Sequence, residues 1–195
     1  MNEVGTAGFF AHPTAVIEDG SIIGKGTNIW HFAHVRVGAS IGQRCTLGKD
    51  VFVDAQVHIG NDCKIQNGVS VYAGVTIEDE VFVGPNVTFT NDRWPRAVSP
   101  SWDIETTVLR NGCSIGANAT IICGTVIGSF AMVGAGSVVV HDVENFELIV
   151  GNPARHVGWV CHCGRICSRE SSPPESFECK LHGSAEAELR KDPAQ

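Results

Sequence analysis

Residues 41–59 read Ile41-Gly-Gln-Arg-Cys45-Thr-Leu47-Gly-Lys-Asp-Val51-Phe-Val53-Asp-Ala-Gln-Val57-His-Ile59, and the spacing inside this stretch decides the fold. An aliphatic residue returns every six positions. Followed outward, the rule holds at thirteen positions without a miss: Ile17, Ile23, Ile29, Val35, Ile41, Leu47, Val53, Ile59, Ile65, Val71, Ile77, Val83 and Phe89. Four residues after each stands a small or β-branched residue, as at Ser21, Thr27, Ala33, Ala39, Cys45, Val51 and Cys63. A period of six fits neither a helix nor an alternating strand. It fits a chain that turns a corner every six residues, so that three flat faces close one coil and coils stack as parallel strands about 4.8 Å apart. The aliphatic fills the prism, and the small residue sits at the corner, where a bulky one would strike the next coil. The expected fold class is all-β, a parallel β-helix of hexapeptides.

Working outward from this stretch, residues 1–16 are an entry segment, with Ala11 and Ala15 in phase with the repeat. After Phe89 the period fails. Residues 90–108 read TNDRWPRAVSPSWDIETTV, and the period resumes at Leu109, Ile115, Ile121, Ile127, Val133 and Val139. Twenty residues separate Phe89 from Leu109. Twenty is not a multiple of six, so 90–108 is expected to be a loop extruded from one corner. Long loops in compact domains tend to be functional. The expected organisation is a β-helix domain over 1–160 and a Cys-containing tail over 161–195, irregular or partly helical, with a short surface helix near 184–191.

The net charge of −7 argues against nucleic acid or an anionic membrane surface as a general partner. No apolar run is long enough for a membrane span, and the N-terminus lacks the pattern of a secretion signal, so the cytoplasm is the expected location. Of the eight cysteines, Cys45, Cys63 and Cys113 fill the small-residue slot and are expected to be buried and reduced. Cys161, Cys163, Cys167 and Cys179 lack the paired spacing of structural zinc and read as a metal-free remnant.

A prism of this kind leaves flat outer faces carrying Trp30, Phe32, Phe52, Tyr72 and Phe82. Cyclic association is the economical way to cover them, giving a homotrimer with composite sites in the grooves between subunits. Asn86 stands just before the loop leaves, where a polar amide can orient an amine or hold an oxyanion. Arg96 and Arg93 lie in the loop, and a guanidinium there suits a carboxylate or pyrophosphate. Lys64, Gln66, Asn67 and Tyr72 read as one outward polar cluster suited to a nucleotide or sugar. His31 and His34 are candidate bases or sugar contacts, and His58 is a weaker one.

The unbroken hexads, the single loop and the closing Gly151-Asn152-Pro153-Ala154-Arg155 resemble the hexapeptide acyltransferases, which are left-handed β-helix homotrimers using acyl-CoA. Within them, Asn28-Ile-Trp-His-Phe-Ala-His34, Lys64-Ile-Gln-Asn-Gly-Val-Ser-Val-Tyr72 and Val83-Gly-Pro-Asn-Val-Thr-Phe-Thr-Asn-Asp92 with Pro95-Arg96 resemble the N-acetyltransferases of nucleotide-linked amino sugars. The nearest kind is the WlbB/WbpD type. It acetylates the 3-amino group of UDP-2-acetamido-3-amino-2,3-dideoxyglucuronate on the way to a lipopolysaccharide sugar. The resemblance covers residues 12–160. It implies the left hand, acetyl-CoA as co-substrate without a metal, and a UDP-linked amino sugar as partner. It further implies Asn86 as the catalytic residue, with Arg96, Arg93, His34, Lys64, Gln66, Asn67 and Tyr72 around the sugar nucleotide. Gly116, Gly134, Asn152 and Arg155 would lie along CoA, the Gly-rich coils offering backbone N–H groups to pantetheine. An O-acetyltransferase of the same fold, and an N-acetyltransferase of another dTDP- or UDP-amino sugar, remain open beside this reading. A carbonic anhydrase-like β-helix is disfavoured because its three converging histidines are not evident, and an ice-binding prism because it has no use for a Trp/Arg-rich loop.

Overall fold

Each hexapeptide forms one two-residue strand and one corner. The computed structural model describes residues 8–99 and 103–178; Cys179 and the helix expected near 184–191 lie outside the described residues. Three strands make one coil, and successive coils pair in parallel at a separation of eighteen residues, as Ile29↔Leu47↔Ile65↔Val83 on the first face. Val35↔Val53↔Val71 repeats this on the second face, and Ile41↔Ile59↔Ile77 on the third. Among the described residues the faces carry ten, seven and six strands, and together they form a left-handed parallel β-helix. Among the described residues no helix is long and apolar enough to cross a membrane.

The aliphatic column makes the core: Ile29, Leu47, Ile65, Val83 and Ile115 are wholly buried. The small slot is equally dry, with Cys45, Cys63 and Cys113 free thiols at 0 % exposure. Burial pushes the Cys113 thiol well above its ordinary pKa. The last corner residue takes the left-handed conformation, with φ of 58° at Asp50, 57° at Asn86 and 56° at Asn118. Asn and Asp tolerate that region better than most side chains.

The loop leaves the corner between the second and third faces after Thr88–Phe89. The chain rejoins the helix at Thr107–Leu109, which pairs with Val75–Ile77. Thr107 and Val108 are therefore strand, because Thr107 fills a buried slot two residues before the core residue Leu109. The extruded part is 91–106. At the other end, Glu147–Gly151 joins the first face in parallel with Met132–Val133. The chain then folds back as Ala154–Val160, and Ile166–Ser168 adds a further antiparallel strand. The first face thus runs past residue 160 to Ser168. Trp159, Val160 and Cys161, exposed by only 2, 0 and 3 %, cap the stack there. The following segment is tied back by Phe177 stacked on Phe146, with centroids 4.4 Å apart.

Candidate active site

Side chains at equivalent corners rise in files, one coil per step. The corner between the first and second faces carries Trp30-His31-Phe32, Gly48-Lys49-Asp50, Gln66-Asn67-Gly68, Gly84-Pro85-Asn86, Gly116-Ala117-Asn118 and Gly134-Ala135-Gly136. Gln66, Asn67, Asn86, Gly116 and Gly134 therefore share one edge of the prism, with His31 below them. Tyr72 does not. It stands one corner further, between the second and third faces, so the polar cluster expected from Lys64 to Tyr72 is divided between two edges and a face. The cause is the period itself: 66 and 72 are one hexad apart, and one hexad turns one corner. Lys64 lies exposed on the first face between Thr46 and Phe82.

At this first edge a cleft of about 320 Å³ is lined by Trp30, His31, Thr46, Gly48, Lys49, Gln66 and Asn67. Asn67 Oδ1 accepts the N–H of Lys49 at 2.8 Å, which fixes its amide. Asn86 is exposed, its N–H donates to the carbonyl of Asn67 at 2.9 Å, and its side chain lies against Gly68. Higher up, the N–H of Gly116 donates to Val133 and that of Gly134 to Ile149, both at 2.8 Å. Those two amides hold the coils together and are not free for pantetheine. The amides one residue later are the available ones. At several other corners the second N–H is capped by a side chain, as Gln43 by Asn61, Lys49 by Asn67 and Ser129 by Asn145. Among the described residues, the N–H groups of Ala117 and Ala135 meet no acceptor. Asn152 and the exposed Arg155 lie in the adjoining hairpin, whose Gly151 N–H donates to Ser137 Oγ at 3.0 Å.

The second edge is organised by charge. His34 Nε2 lies 2.8 Å from Glu18 Oε1, and its ring meets Phe52 edge-on at 5.6 Å. Phe52 in turn lies 6.0 Å from Tyr72. The Val37 N–H and then His34 hold the Glu18 carboxyl below its ordinary pKa. Asp54 is buried, which works against its charge. The N–H groups of Ala55 and Ala73 and the Arg36 guanidinium outweigh that and hold its pKa low. The loop rests on the corner just above. Asn91 Nδ2 donates to the Ala73 carbonyl and Thr107 N–H to that of Gly74.

The two loop arginines differ. Arg93 donates from Nε to Glu105 at 2.7 Å and from its second terminal nitrogen to the Cys123 carbonyl at 2.8 Å, so it pins the loop to the next coil. Arg96 is exposed and, among the described residues, donates only to its neighbour's carbonyl, that of Pro95, at 2.8 Å. Among the described residues it meets no carboxylate. Glu18, Asp54, Asn91 and Glu105 are residues that sequence reasoning passed over. For two of them the signal is the coil repeat: Asp54 stands eighteen residues after Arg36, and Asn91 eighteen after Ala73. In the tail, Cys161 and Cys163 bring their sulfurs to 2.9 Å, and no group of three potential ligands converges among the described residues.

A prism of hexapeptide coils with one extruded loop and a hairpin cap defines a hexapeptide-repeat transferase. The family described as "Bacterial transferase hexapeptide (six repeats)" matches residues 56–91, and "Hexapeptide repeat of succinyl-transferase" matches 38–73 and 111–140. The dTDP-3-amino-3,6-dideoxy-α-D-galactopyranose 3-N-acetyltransferase of Aneurinibacillus thermoaerophilus is 46 % identical over 154 residues, covering 79 % of this chain and 80 % of that protein. The chain belongs to the same family of hexapeptide-repeat sugar N-acetyltransferases and is an acyltransferase. The serine acetyltransferase of Bacillus subtilis (strain 168) is 31 % identical over 62 % of this chain, which spans 48 % of that protein's length. Among solved structures, the acetyltransferase domain of PglB from Neisseria gonorrhoeae FA1090, in complex with acetyl coenzyme A, gives a TM-score of 0.49 at 21 % identity. PerB from Caulobacter crescentus, in complex with CoA and GDP-perosamine, gives 0.44 at 23 %. Each of these two matches 77 % of this chain, which spans 58 and 57 % of theirs.

Proposed function

We propose that the protein transfers the acetyl group of acetyl-CoA to the 3-amino group of a nucleoside-diphosphate-linked amino sugar in the cytoplasm. The observation that carries this is the 46 % identity with a 3-N-acetyltransferase over four-fifths of both chains. The chemistry asks little of the protein beyond alignment. An amine flanked by electron-withdrawing sugar substituents is partly neutral near pH 7, so its lone pair attacks the thioester carbonyl directly. The C–S bond then breaks, and the departing thiolate takes the ammonium proton. Asn86 orients the amine or holds the oxyanion. The edge that carries Ala117, Ala135, Asn152 and Arg155 receives CoA. His34, held by Glu18, and Tyr72 face the sugar together with the loop. Because these groups sit on two edges of one prism, the complete site forms in a homotrimer, where one edge of a subunit meets the other edge of its neighbour. Light scattering that finds a monomer at micromolar concentration refutes this assembly.

The finer assignment is UDP-2-acetamido-3-amino-2,3-dideoxyglucuronate, whose acetylation supplies a diacetamido-uronic acid to lipopolysaccharide. Arg96 favours it: an exposed loop guanidinium that meets no carboxylate among the described residues suits the C-6 carboxylate. A dTDP-3-amino-3,6-dideoxyhexose is the second reading, favoured by the relative named above. Thiol release from acetyl-CoA, followed with each sugar, separates them. On the uronate, Arg96→Ala should lower kcat/KM roughly ten- to a hundredfold, the worth of a lost charge-assisted contact of about 1.5–3 kcal/mol. On a sugar with a neutral C-6 the loss should be small. Equal losses on both would show that Arg96 holds pyrophosphate instead.

A further inference from the structure

Cys161, Cys163 and Cys167 lie in the hairpin cap, and the acetyl transfer uses none of them. Counted as Cys161-x-Cys163-x3-Cys167, they show no zinc spacing. The structure takes Cys167 out of that count. It lies in the returning strand Ile166–Ser168, and its Sγ donates to the Trp159 carbonyl at 3.3 Å. What remains is a different pattern: Cys161-x-Cys163, fifteen residues, then Cys179-x-x-His182. Two short ligand pairs set about fifteen to twenty residues apart are the spacing of a zinc ribbon.

The first pair is already folded as a ligand turn. Where Ala154–Val160 ends, the Cys161 N–H donates to the Arg165 carbonyl at 2.9 Å, and the Gly164 N–H donates back to the Cys161 carbonyl at 2.8 Å. Gly164 takes a φ of 79°, which lets the chain double back directly after Cys163. This brings the two sulfurs to 2.9 Å with no disulfide between them. A tetrahedral zinc with Zn–S bonds of about 2.3 Å spaces its sulfurs about 3.8 Å apart, so the pair needs to open by only about 1 Å. His162, between them, is spent on packing: its ring meets Phe130 edge-on at 4.5 Å and Phe146 at 4.8 Å.

Cys179 and His182 lie outside the described residues, but the chain is delivered to this turn just before them. Phe177 stacks on Phe146 at 4.4 Å and meets Trp159 at 6.1 Å. Phe177 and His162 therefore rest on the same Phe146 ring. Two residues of chain span at most about 7 Å, which limits how far Cys179 can stand from Phe177. The sequence also repeats the order of the turn: Cys163-Gly164 closes the first pair and His182-Gly183 the second. Beyond Ser168 the described residues are mostly exposed, so burial alone holds this segment weakly and a metal is the staple that would hold it.

We propose that Cys161, Cys163, Cys179 and His182 hold one zinc ion, a structural site that fastens the C-terminal segment to the hairpin cap. Three thiolates and one imidazole suit zinc, which takes such sets in closed, four-coordinate sites. On binding, the three thiols give their protons to solvent, the imidazole binds as the neutral ring, and no electron is transferred. The closed site leaves no position for a substrate, and no step of the acetyl transfer runs through it. It steadies the hairpin that carries Asn152 and Arg155.

Metal analysis and cobalt spectroscopy of the full chain test this. The purified protein should carry one zinc per chain. After removal of zinc by a chelator, cobalt(II) added alone should give the intense visible bands of a tetrahedral thiolate site, and one equivalent of zinc should abolish them. Cys179→Ser and His182→Ala should each weaken zinc binding at least a hundredfold, since even outer-shell partners are worth about ten- to a hundredfold. Cys161→Ser should do the same, and if that buried position fails to fold, the other two variants still decide. His182→Cys should keep the site, and Cys167→Ser should leave it unchanged. Zinc should also slow hydrogen exchange across Ala154–Val160 and Ile166–Ser168 roughly tenfold while the core coils are unaffected. A chain that takes up neither zinc nor cobalt overturns the proposal. So does metal held equally well by Cys179→Ser and His182→Ala, which would place the ligands elsewhere. Hairpin exchange that bound zinc leaves unchanged overturns the fastening role.

Discussion

Replacing Gly48 with Ala puts one methyl group where two coils come closest. The new Cβ would stand 2.4 Å from Asn67 Oδ1, 2.7 Å from the Asn67 nitrogen and 3.0 Å from the Gln66 carbonyl carbon. The first contact is relieved if the Asn67 side chain swings away, at the loss of its bond to the Lys49 N–H. Such a bond is worth about 0.5–1.5 kcal/mol. The other two contacts are with backbone, so the coils themselves must separate, and overpacking of this kind costs about 1–3 kcal/mol. Against this, alanine narrows the unfolded ensemble and returns about 0.4–1 kcal/mol. The balance is a destabilisation of about 0.5–4 kcal/mol, which for a chain of this length lowers Tm by roughly 1–16 °C. Thermal melts followed by circular dichroism read this directly. Gly136→Ala is the control: its Cβ would meet nothing within 4 Å, and only its φ of +69° opposes the change. A Gly48→Ala protein as stable as wild type would refute the corner register.

Three further outcomes follow from named contacts. Arg93→Ala unpins the loop from Glu105 and Cys123, so hydrogen exchange in 91–99 and 103–106 should quicken at least tenfold while the core coils stay protected; unchanged exchange there would show that the loop is held otherwise. Burial works against charge on His156, but the Glu170 carbonyl and Glu147 carboxylate favour the imidazolium more and raise its pKa above the ordinary value. Its stabilising contribution is therefore full below about pH 6.5 and lost as pH rises through the raised value, so Tm should decline over that window in the wild type and less in His156→Gln. Asn86→Ala should lower turnover alike for a uronate and a neutral sugar, because it would act at the amine and thioester; a loss confined to one sugar would move Asn86 to the sugar ring.

The core was legible because one physical rule governs it without exception. A corner every six residues forces the same choice at Ile29, Leu47, Ile65 and Val83, and no tertiary event competes with that choice. The small slot followed for the same reason, and the buried cysteines at 45, 63 and 113 with it. The ends of the helix were less legible. Thr107 belongs to a strand because its hydroxyl side chain is small enough for the slot, a fact that only the pairing with Val75 exposes. The cap over the last coil extends to Ser168 because Trp159 and Val160 bury themselves by hairpin pairing, and a hairpin carries no six-residue period.

The site was harder to read, and for a single reason. A side chain at a corner is aimed by its hexad phase but partnered through the coil above or below, about eighteen residues away. Residues close in sequence, such as Gln66 and Tyr72, therefore diverge to different edges, while Trp30 and Gln66, thirty-six residues apart, face one another across a glycine. The same geometry explains why carboxylates such as Glu18 and Glu105 escaped notice. Neither lies in a motif, yet one orients His34 and the other anchors Arg93. It also separates two arginines that sequence treats as equals. Arg93 is satisfied by a coil that the linear chain reaches only thirty residues later, and Arg96, three residues on, has no such partner among the described residues. Arg93 therefore fixes where the loop leaves the prism, and the exposed Arg96 is the loop group whose role the Arg96→Ala comparison of charged and neutral sugars tests.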